Sequence, residues 1–242
     1  MNTKNDLREQ LATCARMFAM QGMLGLFGHV SVYDPQAKKV FITPGMGSDK
    51  ANLRAPEMVV MDLEGKVVEG DGRPPVEWPI HTELHAARKD ALAVAHLHCP
   101  YATLFAIAKR RFRPVTLQGA IFSGGVPLYR QAHLITTPER GKSLVKAIGN
   151  RRAALLRAHG IAVAGKNLQE VLYAALVLED DSKKSLEAAT LGKLGFVSPA
   201  ESRAFAAEIA LERRAQRAWD YFTRLEARWD RQPGTGRMEL FP

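Results

Sequence analysis

The sequence predicts an α/β fold in which helices cover a largely antiparallel sheet within a single domain. Two observations support this prediction. Segments with β-like alternation are mixed with segments of helical periodicity, without a regular βαβ rhythm. No internal repeat, low-complexity segment or Pro/Ser-rich linker divides the 242 residues. We therefore expect one domain over residues 1–230, followed by an irregular tail over 231–242.

The first seventy residues predict one helix followed by four strands. Apolar residues recur at helical spacing near the N-terminus, where Asn5 or Asp6 can cap the helix. Farther along, apolar and polar residues alternate, and the pairs Asp34-Pro35 and Glu64-Gly65 are typical of turns. The predicted elements are a helix at 5–24 and strands at 29–34, 38–44, 58–62 and 66–69.

The rest of the chain predicts more helix than strand. Helical periodicity begins at Glu77 and runs toward Asp90, and Pro100 suits the first turn of a later helix, where proline is tolerated. Two short apolar runs are β-like, and the second contains a turn. The predicted elements are helices from 77 toward 90, at 100–110, 139–149 and 168–191, with one or two more in 199–230, and strands at 92–99 and within 153–165.

The charge of the chain is strongly positive but carries no nucleic-acid signature. The net charge is +9, yet the basic residues are scattered and do not interleave with aromatic residues. We expect a solvated basic surface, no nucleic-acid partner and a field that attracts a small anionic substrate. Two cysteines, no signal peptide pattern and no apolar run of membrane-spanning length predict a cytoplasmic protein without a membrane partner.

The stretch AVAHLHCPYA (94–103) places two histidines one residue apart in an apolar, β-like run. Alternate residues of a strand share a face, so His96 and His98 should project together while Leu97 and Cys99 face the core. Neutral imidazoles are ligands for zinc and its first-row neighbours, so the pair favours a metal site over two buried structural histidines.

A catalytic metal site of this kind needs a third protein ligand and an open position. His159, at a turn between two apolar strands, is one candidate. The residues themselves do not choose between it and the competing histidines, which are His29, His81, His85 and His133. The i, i+4 spacing of His81 and His85 can itself chelate a metal.

Glu77 follows two prolines at the start of a predicted helix. A carboxylate there is stabilised by the helix N-terminus, which is the simpler interpretation. The alternative is a positioned acid or base beside a metal-bound substrate.

Three stretches together resemble the class II aldolase/adducin family. They are GHVSVYDPQAKKVFITPGMGS, VEWPIHTELHAARKDALAVAHLHCPYATLFA and LLRAHGIAVAGKNLQEVLYAALVLED. The resemblance implies a three-layer α/β sandwich and a homotetramer with active sites near the subunit interfaces. It also implies one divalent metal ion per subunit, zinc or manganese, with cobalt or iron as further candidates.

The resemblance also assigns roles to individual residues. It implies that His96, His98 and His159 hold the metal and that Glu77 is the catalytic acid/base. The GHVS turn and the TPGMGS loop match segments that line the substrate pocket, which makes His29 and Gly45 candidate substrate-binding residues. Two further candidates are Tyr101, which either contacts substrate or packs in a helix start, and Tyr221, a proton donor from a neighbouring subunit.

Three departures from the family pattern argue against a phosphorylated sugar as the substrate. Members that handle phosphate usually carry asparagine at the position of His29 and small hydroxyl residues at those of Pro75 and Val76. Neither of the latter two side chains donates to phosphate. The segment RPVTLQGAIFSG also lacks the tyrosine usual in sugar-phosphate aldolases.

Four motifs resemble those of the decarboxylase branch of the family: EWPIHTE, CPYAT, ITTPERG and LLRAHGIAVAG. This implies a metal-dependent lyase that decarboxylates a hydroxylated aromatic or heteroaromatic carboxylate. Two alternatives stay open: aldol cleavage of a non-phosphorylated hydroxy-keto substrate, and a non-enzymatic interaction module like the adducin head.

Overall fold

A computed structural model describes residues 3–45, 47–208 and 210–229. Its centre is a sheet of eight strands, and helices pack on both faces. The strands are β1 His29–Asp34, β2 Lys39–Ile42, β3 Val59–Met61, β4 Val67–Glu69, β5 Ala93–Leu97, β6 Leu128–Tyr129, β7 Ala153–Leu156 and β8 Gly160–Gly165. The α-helices are α1 Thr3–Met20, α2 Pro79–Ala87, α3 Ala102–Ile107, α4 Pro138–Ile148, α5 Leu168–Ala188, α6 Pro199–Glu208 and α7 Leu211–Trp229.

The strand order is β4-β3-β2-β1-β5-β8-β7-β6. Every neighbouring pair is antiparallel except β6 and β7. The predicted α/β class with a largely antiparallel sheet is therefore confirmed. Strand β6 was not predicted, because two residues are too short to show an alternating pattern.

One face of the sheet packs against α1, α3 and α5, and α7 packs on α1 and α5 in the same core. Val30 of β1 and Leu97 of β5 belong to this larger core, as does the buried thiol of Cys99. Helix α7 contributes buried Phe222 and four partly buried apolar side chains. Those four side chains are Ala218, Trp219, Leu225 and Trp229.

The opposite face packs against α2 and α4 through a smaller apolar core. Because side chains alternate along a strand, β1 and β5 turn their polar residues toward this second face. His29 and Ser31 of β1 are buried here, and His29 pairs with His96 across the two strands. Since α2 brings His81 and His85 to the same layer, this interface gathers most of the buried imidazoles.

Several boundaries differ from those predicted. Helix α1 ends at Met20 rather than 24, just before Gly22, which has a positive φ of 68°. Helix α2 begins at Pro79, so Glu77 precedes the helix instead of starting it. His98 follows the last residue of β5, which ends at Leu97.

The C-terminal region forms two helices, α6 and α7, and the predicted tail at 231–242 lies outside the described residues. Among the helices described, none combines the length and the apolar character that a membrane crossing requires.

Candidate metal centre and active site

Three histidines meet where β5 ends and β8 begins. His96 belongs to β5, while His98 follows that strand and His159 precedes β8, its antiparallel neighbour. The Nε2 atoms of His96 and His98 are 3.1 Å apart, and one ring nitrogen from each of the three histidines lies within 4.8 Å of the others. Sheet pairing thus brings together side chains that are distant in sequence.

The turn before β8 keeps His159 close to the sheet. The His159 N–H donates to the carbonyl oxygen of Leu156, and Ala158 adopts a positive φ of 54°. At Gly160, a Cβ atom would collide with the carbonyl oxygen of Leu97. A larger residue would push the two strands apart, so glycine at this position supports the approach of His159 to His96.

The three imidazoles fit a divalent metal ion. Tetrahedral zinc with ligand nitrogens at 2.0–2.1 Å requires neighbouring nitrogens about 3.3 Å apart, close to the 3.1 Å between His96 and His98. His96 Nδ1 is 3.0 Å from the carbonyl oxygen of Ile161, which must accept a hydrogen bond from it. The Nε2 atom of neutral His96 is therefore unprotonated, as a metal ligand must be.

Burial keeps His96 neutral. Desolvation lowers its pKa to about 3, although the nearby Glu77 carboxylate raises it in part. Desolvation also lowers the pKa of His98, which is partly exposed together with His159. Imidazole nitrogens and a partly exposed side provide both features of a catalytic metal site: donor atoms and access for a substrate.

Glu77 lies beside the three histidines. Its Oε2 atom is 3.4 Å from His159 Nε2 and 3.6 Å from His96 Nε2, and its Oε1 atom accepts a 2.8 Å hydrogen bond from the N–H of Ile135. Burial favours the protonated acid, but the hydrogen bond to His159, the influence of His96 and the Ile135 N–H together lower the pKa of Glu77 to about 2. The site therefore contains a fixed carboxylate at neutral pH.

Three of the four competing histidines belong to a separate hydrogen-bonded chain. His29 Nδ1 is 2.6 Å from His81 Nε2, and Ser31 Oγ is 2.6 Å from His81 Nδ1 and 2.8 Å from His85 Nε2. His85 Nδ1 is 2.5 Å from the carbonyl oxygen of Ala91. His81 and His85 thus bond to protein atoms through both ring nitrogens, which leaves neither free for a metal ion.

The remaining competitor, His133, is exposed and lies 2.6 Å from the Gln131 side chain.

Sequence reasoning missed the hydrogen bonds by which Ser31 links His81 and His85. The spacing of Ser31 from His29 predicts only that both side chains share one face of β1.

A second feature missed in the sequence is Lys50. Its side chain is only 3% exposed and donates to the carbonyl oxygens of Pro44 and Gly45 and to the hydroxyl of Ser48. Desolvation lowers its pKa to about 8, and its charge in turn lowers the pKa of His29. Lys50 therefore holds the loop after β2 close to the site.

Gly45 joins that loop to the segment before Glu77. Its N–H donates to the carbonyl oxygen of Arg73 at 2.8 Å, and a Cβ atom here would lie 3.0 Å from the carbonyl oxygen of Pro74. Met46, within the same predicted pocket loop, is not among the described residues.

The described ring contacts of the two candidate tyrosines are with residues outside the histidine cluster. The Tyr101 ring is 5.8 Å from Lys183 Nζ, and Tyr101 precedes α3. Tyr221 is 49% exposed on α7, on the face of the sheet opposite α2. Within one chain, the described contacts of Tyr221 connect it to Phe222 rather than to the histidines. Phe27, which is 55% exposed, stacks on His98 with a ring separation of 5.4 Å and was not predicted.

The chain is similar to known proteins in sequence and in fold. The chain is 29% identical to 3,4-dihydroxyphthalate decarboxylase of Rhodococcus jostii (strain RHA1) over 76% of its length and 81% of the relative. It is 27% identical to L-fuculose phosphate aldolase of Methanocaldococcus jannaschii over 75% of its length and 96% of the relative. An aldolase II superfamily protein from Pseudomonas syringae has the same fold, with a TM-score of 0.84, 23% identity and coverage of 94% of each chain.

The family match covers most of the chain. Residues 9–184 match the family described as Class II Aldolase and Adducin N-terminal domain, and this range includes every candidate site residue except Tyr221. The relatives compared above carry the names of two carbon–carbon lyases, a decarboxylase and an aldolase. The chain belongs to the class II aldolase and adducin family.

Proposed function

We propose that this protein is a divalent-metal-dependent lyase that decarboxylates a hydroxylated aromatic or heteroaromatic dicarboxylate. One observation carries the proposal: nitrogens of His96, His98 and His159 lie within 4.8 Å of one another, with the Glu77 carboxylate 3.4 Å from His159. This arrangement offers three imidazole ligands, a carboxylate that can carry a proton and a partly exposed side.

The choice of a decarboxylase over a sugar-phosphate aldolase rests on the pocket residues. His29, the first residue of β1, occupies the position where phosphate-handling members usually have asparagine, and Pro75 has no N–H to offer a phosphate. Val76 is 68% exposed and carries no donor in its side chain. The 3,4-dihydroxyphthalate decarboxylases among the relatives support the same choice.

Held by His96, His98 and His159, a divalent metal ion would supply Lewis acidity that favours electron withdrawal from the substrate ring. Glu77 lies where it can accept the proton of a ring hydroxyl, since its carboxylate is ionised and buried. The C–COO⁻ bond then breaks, CO₂ leaves, and its electron pair stays on the ring carbon. Protonated Glu77 returns the proton to that carbon, so hydrogen replaces the carboxylate, and a proton from solvent restores the ring hydroxyl.

The proposal extends to the cofactor and the assembly. We assign His96, His98 and His159 as ligands of one zinc or manganese ion per subunit, with cobalt or iron as further candidates. We also propose a cytoplasmic homotetramer, in which Tyr221 reaches the site of a neighbouring subunit as a proton donor. The exposure of Tyr221 is compatible with such a contact, and light scattering of the purified protein tests the assembly.

Product analysis tests the reaction. The metal-loaded protein is incubated with 3,4-dihydroxyphthalate, with L-fuculose 1-phosphate and with a non-phosphorylated hydroxy-keto sugar acid. Released CO₂ with a monocarboxylate product supports the decarboxylase. Released aldehyde without CO₂ would instead favour an aldolase. No product, together with no metal uptake on titration, would favour a non-enzymatic interaction module.

A further inference from the structure

A buried series of hydrogen bonds between β1 and α2 fixes the position of every proton in it. The series joins His29, His81, Ser31 and His85. The carbonyl oxygen of Ala91 can only accept, so His85 donates from Nδ1 and keeps a lone pair on Nε2. Ser31 must then donate its hydroxyl hydrogen to His85 and accept from His81 Nδ1. Each step follows because a neutral imidazole has one N–H.

The same logic continues to His29. Since His81 uses its only N–H on Ser31, its Nε2 atom accepts from Nδ1 of His29. Nδ1 therefore holds the only proton of neutral His29, and Nε2 is an acceptor. Burial supports neutral rings throughout, because His29, His81 and His85 are at most 6% exposed and a charged imidazole loses its solvation there.

His29 lies at the edge of the metal centre. It faces His96 across β1 and β5, with ring centroids 5.0 Å apart, and it is 6% exposed. One ligand atom from each of His29, His96 and Glu77 lies within 4.8 Å of the others, but His29 is not part of the His96–His98–His159 group. His29 therefore lies beside the three proposed metal ligands and is not assigned as one of them.

We infer that His29 offers substrate an acceptor-only Nε2 and thereby selects a molecule with a hydroxyl group at this position. Ser31, His81 and His85 are positioning residues that hold His29 in this tautomer. A phosphate or carboxylate oxygen offers only lone pairs, so the same nitrogen disfavours it. The inference rests on the proposed function, because it assigns the donor to a ring hydroxyl of a hydroxylated aromatic acid.

Nitrogen NMR of the metal-free protein tests the tautomer without any turnover. Protein labelled with ¹⁵N-histidine should show His29 with a protonated Nδ1 and an unprotonated Nε2. Ser31→Ala should remove this preference, because it breaks the chain. Thr82→Val is the matched control: Thr82 is buried on α2, and its hydroxyl has no hydrogen-bond partner among the described residues. A protonated Nε2 on His29 would overturn the inference.

Binding measurements test the selection. Calorimetry compares 3,4-dihydroxyphthalate with 3-hydroxyphthalate and 4-hydroxyphthalate on metal-loaded wild-type protein and on His29→Asn. Asparagine can still donate to His81 but does not reach the position of Nε2. In wild type, loss of the hydroxyl that faces His29 should weaken binding by about 10- to 100-fold, the effect of an unpaired buried acceptor.

In His29→Asn, removing the same hydroxyl from the ligand should change the affinity by no more than about twofold, as expected when the two changes are coupled. Unchanged metal affinity should accompany it, and Thr82→Val should behave as wild type. An equal loss in wild type and His29→Asn, weakened metal binding in His29→Asn, or no binding of any of the three acids would overturn the inference. CO₂ release without such coupling would leave the proposed function intact, whereas coupling without CO₂ release would reject that function alone.

Discussion

The Oε2 atom of Glu77 lies 3.4 Å from Nε2 of His159, although the two residues are far apart in the sequence. Glu77 reaches this position from the turn before α2, and His159 reaches it from the turn before β8. The Ile135 N–H fixes the other carboxylate oxygen at 2.8 Å. A carboxylate held in this way can move a proton without changing its rotamer.

Glu77→Gln should abolish most turnover while the metal stays bound. Glutamine can still accept from Ile135 through its amide oxygen, but it cannot carry a proton. We expect kcat to fall by about 10²- to 10⁴-fold, the usual contribution of a general acid or base. Steady-state kinetics and metal analysis check this, and unaltered turnover would reject the proton-transfer role.

His96→Ala should lose the metal while the fold persists. The change removes a central ligand, and His133→Ala is the control because that histidine is exposed and bonded to Gln131. Since a ligand that binds only the native state raises stability, added zinc or manganese should raise the Tm of wild type and of His133→Ala. A similar rise in His96→Ala would remove His96 from the ligand set.

Glu179→Ala should destabilise the fold near the site. The buried carboxylate of Glu179 accepts from the N–H groups of Tyr101 and Ala102, both at 2.8 Å, at the start of α3. Loss of this cap leaves two N–H groups without an acceptor and should lower the free energy of unfolding by about 2 kcal/mol.

The matched control for this change is Glu187→Ala on the same helix, where the side chain is 59% exposed. It should shift stability by no more than about 0.5 kcal/mol. Urea unfolding compares the two variants, and equal shifts would contradict a capping role for Glu179.

Lys50 should make stability depend on pH in the alkaline range. Desolvation lowers its pKa from 10.5 to about 8 in the folded protein. Between these two values the unfolded chain binds more protons at this residue, so its contribution to stability rises as the pH increases from 8 to 10.5.

Lys50→Met should remove this rise. The difference in unfolding free energy between wild type and variant should therefore increase with pH across the window. Chemical denaturation at pH 8, 9 and 10 measures it, and a constant difference would show that Lys50 titrates at its ordinary pKa.

The sequence by itself determined the α/β class and most of the elements, because hydrophobic alternation and helical periodicity are local signals. The same local rule placed His96 and His98 on one side of an apolar strand, and this side-by-side arrangement is present in the structure. The family resemblance added His159 and Glu77, which periodicity alone did not select.

Only the tertiary structure decided which histidines belong together. Pairing of β5 with β8 brings His159 close to His96. Packing of α2 on β1 lets His81 and His85 form hydrogen bonds with Ser31. Buried Lys50 and the acceptor nitrogen of His29 emerge only with the surrounding loop and helix in place. The physical reason is that a hydrogen bond or an ion site depends on distances between remote residues, for which a linear pattern of polarity holds no signal.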